Sequence, residues 1–166
     1  MLTLPKHFDE NEWFIITVVL LSSVLFKLPK RLPTVITILI LFLSMAIPKI
    51  IDHSIAAAWP YNLYDLTDSK KFELFDVILD GVYCPFGYLC IYFYDKFRPK
   101  GFKIVLYIIS WTVFAIFFEY IAVKLHVFNY HGWKLMYSFP TYMVVISLFL
   151  LFYKFVTYYY RRTLET

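Results

Sequence analysis

Five apolar blocks, at about 13–28, 32–51, 75–94, 102–123 and 135–155, divide this chain, and the connectors and ends outside them hold most of its charge. Blocks of this size match the ~20 residues a helix needs to cross a bilayer. They do not alternate polar with apolar residues, as barrel strands do over ~10 residues. In hydrocarbon every backbone N–H and C=O must be satisfied within the spanning structure, which leaves helices. The expected fold is all-α: a polytopic membrane helical bundle of five transmembrane helices in one integral membrane domain, 1–166. A soluble alternative fails on surface chemistry. With 61% hydrophobic and 17% charged residues in 166 positions, the chain falls well short of the quarter charged that soluble domains average. Pro33 suits the first turn of the second helix, Pro48 is expected to kink or end it, and Pro140 falls near the start of the fifth.

The basic residues orient the bundle. Lys27, Lys30 and Arg31 lie in one connector, Lys96, Arg98, Lys100 and Lys103 around another, and Lys154, Arg161 and Arg162 near the carboxyl end. In a five-span chain these regions share one side, which the positive-inside rule makes cytoplasmic. Of the acids, only Asp95 and Glu165 fall on that side. The expectation is an amino terminus outside, a carboxyl terminus inside, and no cleaved signal peptide, because the opening segment is not a basic n-region. The same residues suit contacts with anionic headgroups, and nothing supports a nucleic-acid partner. Cys84 and Cys90 share one helix and read as apolar fillers. No metal site and no cofactor is expected.

Glu119 breaks this pattern. It lies inside the fourth apolar block with no Lys or Arg nearer than Lys124, and an intramembrane carboxylate is a functional-site candidate by default. At ~1.5 Å per residue it sits ~6 Å from the outer face, while Asp80 on the third helix sits ~8 Å in from the same side. Consecutive elements usually pack as neighbours, so the two acids are expected to face one another. Asp76, Asp80, Tyr83 and Gly87 share one stripe, and Thr112, Ala115, Glu119, Ala122 and His126 another. The following connector places His126, Tyr130, His131 and Trp133 above Glu119, with Gly132 free to take a positive φ. The 52–74 loop adds His53, Trp59, Tyr61, Tyr64, Asp65 and Asp68. Each feature has a plainer counterpart. Asp76 can cap a helix N-terminus, the Trp residues can belong to an interfacial belt, His126 and His131 lack a ligand spacing, and Glu119 can hold helices together.

Four segments, Tyr64-Asp65-Leu66, the Asp80 helix continuing into Pro85-Phe86-Gly87-Tyr88, Phe118-Glu119-Tyr120, and Asn129 to Lys134 followed by Tyr137-Ser138, together resemble a family of small five-span membrane proteins of spore-forming Firmicutes. Its most specific element is a Glu followed, about ten residues on, by Tyr-x-Gly-Trp. The resemblance implies a bacterial plasma-membrane location and supplies no activity. The carboxylate before a Gly-Trp exit loop is also similar to carotenoid-modifying membrane enzymes such as lycopene cyclases and bacterioruberin-type hydratases, although the paired Glu-Glu of the cyclases is missing.

Three functions fit. The first is a non-enzymatic membrane protein whose outer-leaflet acidic pocket (Asp76, Asp80, Tyr83, Glu119, His126, Tyr130, His131 and Trp133) binds a small lipid or isoprenoid ligand, or meets another copy or a partner subunit. The second is an enzyme acting on a prenyl or other lipid, with Glu119 and Asp80 as catalytic acid and base, since neighbouring carboxylates in low dielectric have pKa values pushed apart. The third is a proton- or cation-coupled carrier, against which the absence of internal repeats counts.

Overall fold

The computed structural model describes residues 8–52, 54, 62–66 and 74–165, and only the backbone of Phe26 and Asp76. His53, Trp59, Tyr61 and Asp68 lie outside the described residues. The chain is an all-α membrane bundle of five helices: α1 (Glu10–Ser22), α2 (Thr34–Ile51), α3 (Leu74–Phe97), α4 (Phe102–Lys124) and α5 (Leu135–Glu165). Four helices are long and apolar enough to cross a membrane, and they include all of α2, α4 and α5 and most of α3.

The first block is shorter than expected of a spanning helix. With Glu10 and Glu12 in its first turn, α1 keeps only 13 residues, and a 3₁₀ turn, Ser23–Lys27, continues it. At ~1.5 and ~2.0 Å per residue the two pieces together reach about 30 Å. Its start is reinforced because the Glu12 carboxylate accepts the Asp9 backbone N–H at 2.9 Å, half of a capping box. Pro48 does not end α2, which continues to Ile51. The fifth helix continues about ten residues past its apolar block, since no Gly or Pro interrupts 156–165.

Two packed regions hold the bundle together. One joins α2, α3 and α5 through Ile36, Ile40, Ile91, Tyr94, Phe149 and Tyr153. The other joins α1, α3 and α4 through Ile15, Val18, Phe75, Leu79, Val82 and Ala122. Large apolar side chains such as Phe42, Phe117, Leu148 and Leu151 stay exposed, as a lipid-facing surface requires. At the basic end Asp95 joins three segments. It accepts from Arg31 at 3.2 Å and from the Tyr153 hydroxyl at 2.8 Å. That places the first basic connector beside the end of α3, as the charge pattern expects.

The close backbone approaches are those of α2 with α3 and of α4 with α5. Gly87 allows the first of these. A Cβ built there would stand 2.0 Å from Ser44 Oγ, 2.9 Å from Ser44 Cβ and 2.9 Å from Phe149 Cε1. Although consecutive, α3 and α4 do not pack closely along their backbones. They meet instead through rings, with Phe86 and Phe118 centroids 4.8 Å apart and Tyr94 and Tyr107 5.7 Å apart.

Two short strands cross one end of the bundle. β1 (Tyr64–Leu66) pairs antiparallel with β2 (Phe128–Tyr130), setting Tyr64 opposite Tyr130 and Leu66 opposite Phe128. Just beyond, the Leu63 carbonyl accepts the N–H groups of His131, Gly132 and Trp133 at 2.9, 2.9 and 3.0 Å. The left-handed turn of this connector falls on His126, at φ 55°, and not on Gly132.

Candidate functional site

The gap between α3 and α4 is a cavity of about 210 Å³. Its long walls are apolar, with Leu79, Val82 and Phe86 from α3 facing Phe114, Phe118 and Ala122 from α4, and Val18, Ile47 and Ile146 closing other sides. Its polar groups collect under the β1–β2 roof: Asp52, Tyr64, Tyr83, Glu119, Tyr130, Trp133, Ser138 and Tyr142.

Glu119 is 9% exposed. Its Oε1 accepts hydrogen bonds from the Tyr130 hydroxyl and, at 2.7 Å, from the Ser138 hydroxyl. Ser138 in turn accepts the Trp133 indole N–H at 2.9 Å. The second oxygen, Oε2, is buried and makes no hydrogen bond of good geometry among the described residues. A carboxylate oxygen can take two donors, so Oε2 keeps acceptor capacity even with the Tyr142 hydroxyl beside the carboxylate.

Asp52, at the end of α2, organises the other side. It accepts from the Tyr64 hydroxyl and, at 3.1 Å, from that of Tyr83. Tyr142 lies one turn beyond Ser138 on α5; its hydroxyl is a hydrogen-bonding neighbour of Glu119 and also feels the charge of Asp52. Burial, together with Glu119, holds the Tyr130 hydroxyl well above the ordinary phenol range, and burial with Asp52 does the same for Tyr64. Both phenols therefore remain donors throughout the physiological range.

A pKa raised on folding supplies stability that is complete below the unfolded value, about 10 for a phenol, and is lost as pH rises past it. Thermal stability is accordingly expected to fall above pH ~10. A Tyr64→Phe/Tyr130→Phe variant should show a shallower fall when melted across that range, and an unchanged slope would count against this account.

Of the residues singled out from sequence, the structure brings Tyr64, Tyr83, Glu119, Tyr130 and Trp133 together at the cavity and places Asp80, His126 and His131 outside it. Asp80 makes an ion pair with Lys49 and does not line the cavity. The expected facing of Asp80 and Glu119 depended on close α3–α4 packing, which the aromatic side chains between them prevent. His126 is exposed, and its carbonyl accepts from the Asn129 side chain at 3.3 Å. His131 is exposed and pairs with Asp65 at 2.7 Å across the roof. The Asp76 side chain lies outside the described residues. Sequence reasoning did not assign Asp52, Ser138 or Tyr142 to the site. For the last two a signal was available, because Ser138, Tyr142, Ile146, Phe149 and Tyr153 recur at spacings of three or four and mark the inward face of α5.

Compared with known proteins, the chain matches no family model, no curated protein and no solved structure.

Proposed function

We propose that this membrane protein binds a small amphiphile, whose hydrogen-bond donor head reaches Glu119 and whose hydrocarbon tail passes between α3 and α4. The observation that carries the reading is the buried Oε2 of Glu119, with spare acceptor capacity at the polar end of a mostly apolar cavity. A donor there completes the carboxylate. Ordered water suits the apolar remainder poorly, since a hydrocarbon-lined cavity of ~150 Å³ stays dry and takes up benzene. The 210 Å³ present here accommodates a head and about the first isoprene-sized segment, leaving the rest of a tail to reach lipid. The setting we propose is a bacterial plasma membrane with the roofed end outside, on the charge asymmetry and the resemblance to the five-span family.

Three C10 probes test this reading in detergent: a prenyl alcohol, the matching prenyl amine and the matching hydrocarbon. Alcohol and amine are expected to bind at least about tenfold more tightly than the hydrocarbon, equivalent to ~1.4 kcal/mol. Glu119→Gln puts an N–H donor within the acceptor pair, so it should remove the advantage of the amine, which as an ammonium at neutral pH is a donor only. Equal binding of the hydrocarbon would sink the reading. Recovery of a chemically altered probe would move it from binding to catalysis, with Asp52 as the second carboxylate of the site.

A further inference from the structure

A second cleft, of about 830 Å³, opens at the basic end between the α3–α4 turn and the tail of α5. Arg98 and Lys100 line it from the turn, and Lys154, Arg161 and Arg162 from α5. Only Asp95 and Glu165 oppose them within the cleft, and Asp95 is already matched by Arg31 at 3.2 Å. Among the described residues none of the five cations makes a salt bridge. Two are steered by rings instead, with Lys154 Nζ 5.9 Å from the Tyr94 centroid and Arg162 Cζ 5.1 Å from that of Tyr158. Arg98 stands at φ 46°, just past the end of α3. This is a left-handed position that glycine takes at less cost, so the guanidinium is held at the cleft against a backbone preference. The Thr157 hydroxyl, one turn past Tyr153 and beside its hydroxyl, also lines the cleft.

We infer that this cleft is a binding site for the phosphoryl headgroup of one anionic lipid. Arg and Lys side chains without a salt-bridge partner suit phosphate oxygens. The site also lies at headgroup depth. The 31 residues of α5 extend about 46 Å against a hydrocarbon core of ~30 Å, so the 157–165 tail stands beyond the apolar layer. Size favours a lipid over a free anion, because the cleft holds roughly 28 water volumes at ~30 Å³ each. Tyr94, Ile104 and Tyr158 give it apolar wall for a glycerol and the start of an acyl chain.

The test is native mass spectrometry of the full chain released from a neutral detergent, with phosphatidylglycerol and phosphatidylcholine of equal chain length as probes. One phosphatidylglycerol should be retained with at least about tenfold preference, and 50 mM inorganic phosphate at constant ionic strength should not displace it (on the order of the preference two to three freed charges provide). Arg161→Gln/Arg162→Gln should abolish the preference. Both residues are exposed, and Arg161→Lys/Arg162→Lys, which keeps the charge, should retain most of it. Lys124→Gln/Lys134→Gln, at the opposite end, should leave it intact. Equal retention of phosphatidylcholine, equal loss in the Lys124/Lys134 variant, or displacement by free phosphate would each overturn the inference.

Discussion

Gly87→Leu is expected to prevent accumulation of the folded protein, and Gly87→Ala to destabilise it by about 1–3 kcal/mol, the usual range for overpacking. The cause is geometric. A methyl at Gly87 would stand 2.9 Å from Ser44 Cβ, which belongs to the backbone frame of α2 and cannot rotate away as Oγ can. Relief requires α2 and α3 to separate, and that loosens the cluster containing Ile40, Ile91 and Phe149. Ser44→Gly alone costs about 0.5 kcal/mol of helix propensity. Combined with Gly87→Ala it should nevertheless recover most of the loss, giving a double-mutant coupling of at least ~1 kcal/mol. Denaturation of the four proteins in mixed micelles measures that coupling. Simple additivity would show that the contact does not set the helix spacing.

Glu119→Ala is the second large effect, at about 2–5 kcal/mol. It strands the hydroxyls of Tyr130 and Ser138, and each donor left unpaired in a buried site costs ~1–3 kcal/mol. Glu119→Gln keeps one acceptor oxygen for both donors and should cost no more than about 1 kcal/mol. The difference separates two roles of one residue. Stability depends on Oε1, whereas binding of a donor-headed ligand depends on Oε2. If Gln melts as low as Ala, the charge of the carboxyl, and not its acceptor geometry, holds α4, α5 and the roof together.

Hydropathy was enough to read the bundle, because lipid forces helices and sets their length. It was not enough for the shape of the site. Glu119 is visible as a charge in an apolar run, but the rule that consecutive helices pack points to a partner on α3. Here Phe86, Phe114 and Phe118 hold α3 and α4 apart around the cavity they line, while Lys49, at the far end of α2, takes up Asp80. Asp52 looks in sequence like an ordinary loop-bordering acid, and only the fold brings Tyr64 and Tyr83 to it. The roof was illegible for a different reason. Three-residue strands are too short to carry a two-residue period, and their pairing links positions more than sixty apart in the chain.

The donors of Glu119 come late in the chain. Tyr130 follows it by 11 residues and Ser138 by 19. At a synthesis rate of 5–20 residues per second, the carboxylate is made about one to four seconds before its last donor. During that interval α4 carries a bare acid, a poor candidate for immediate release into lipid. If α4 and α5 entered lipid as a pair, Glu119 would meet its donors at the moment it leaves water.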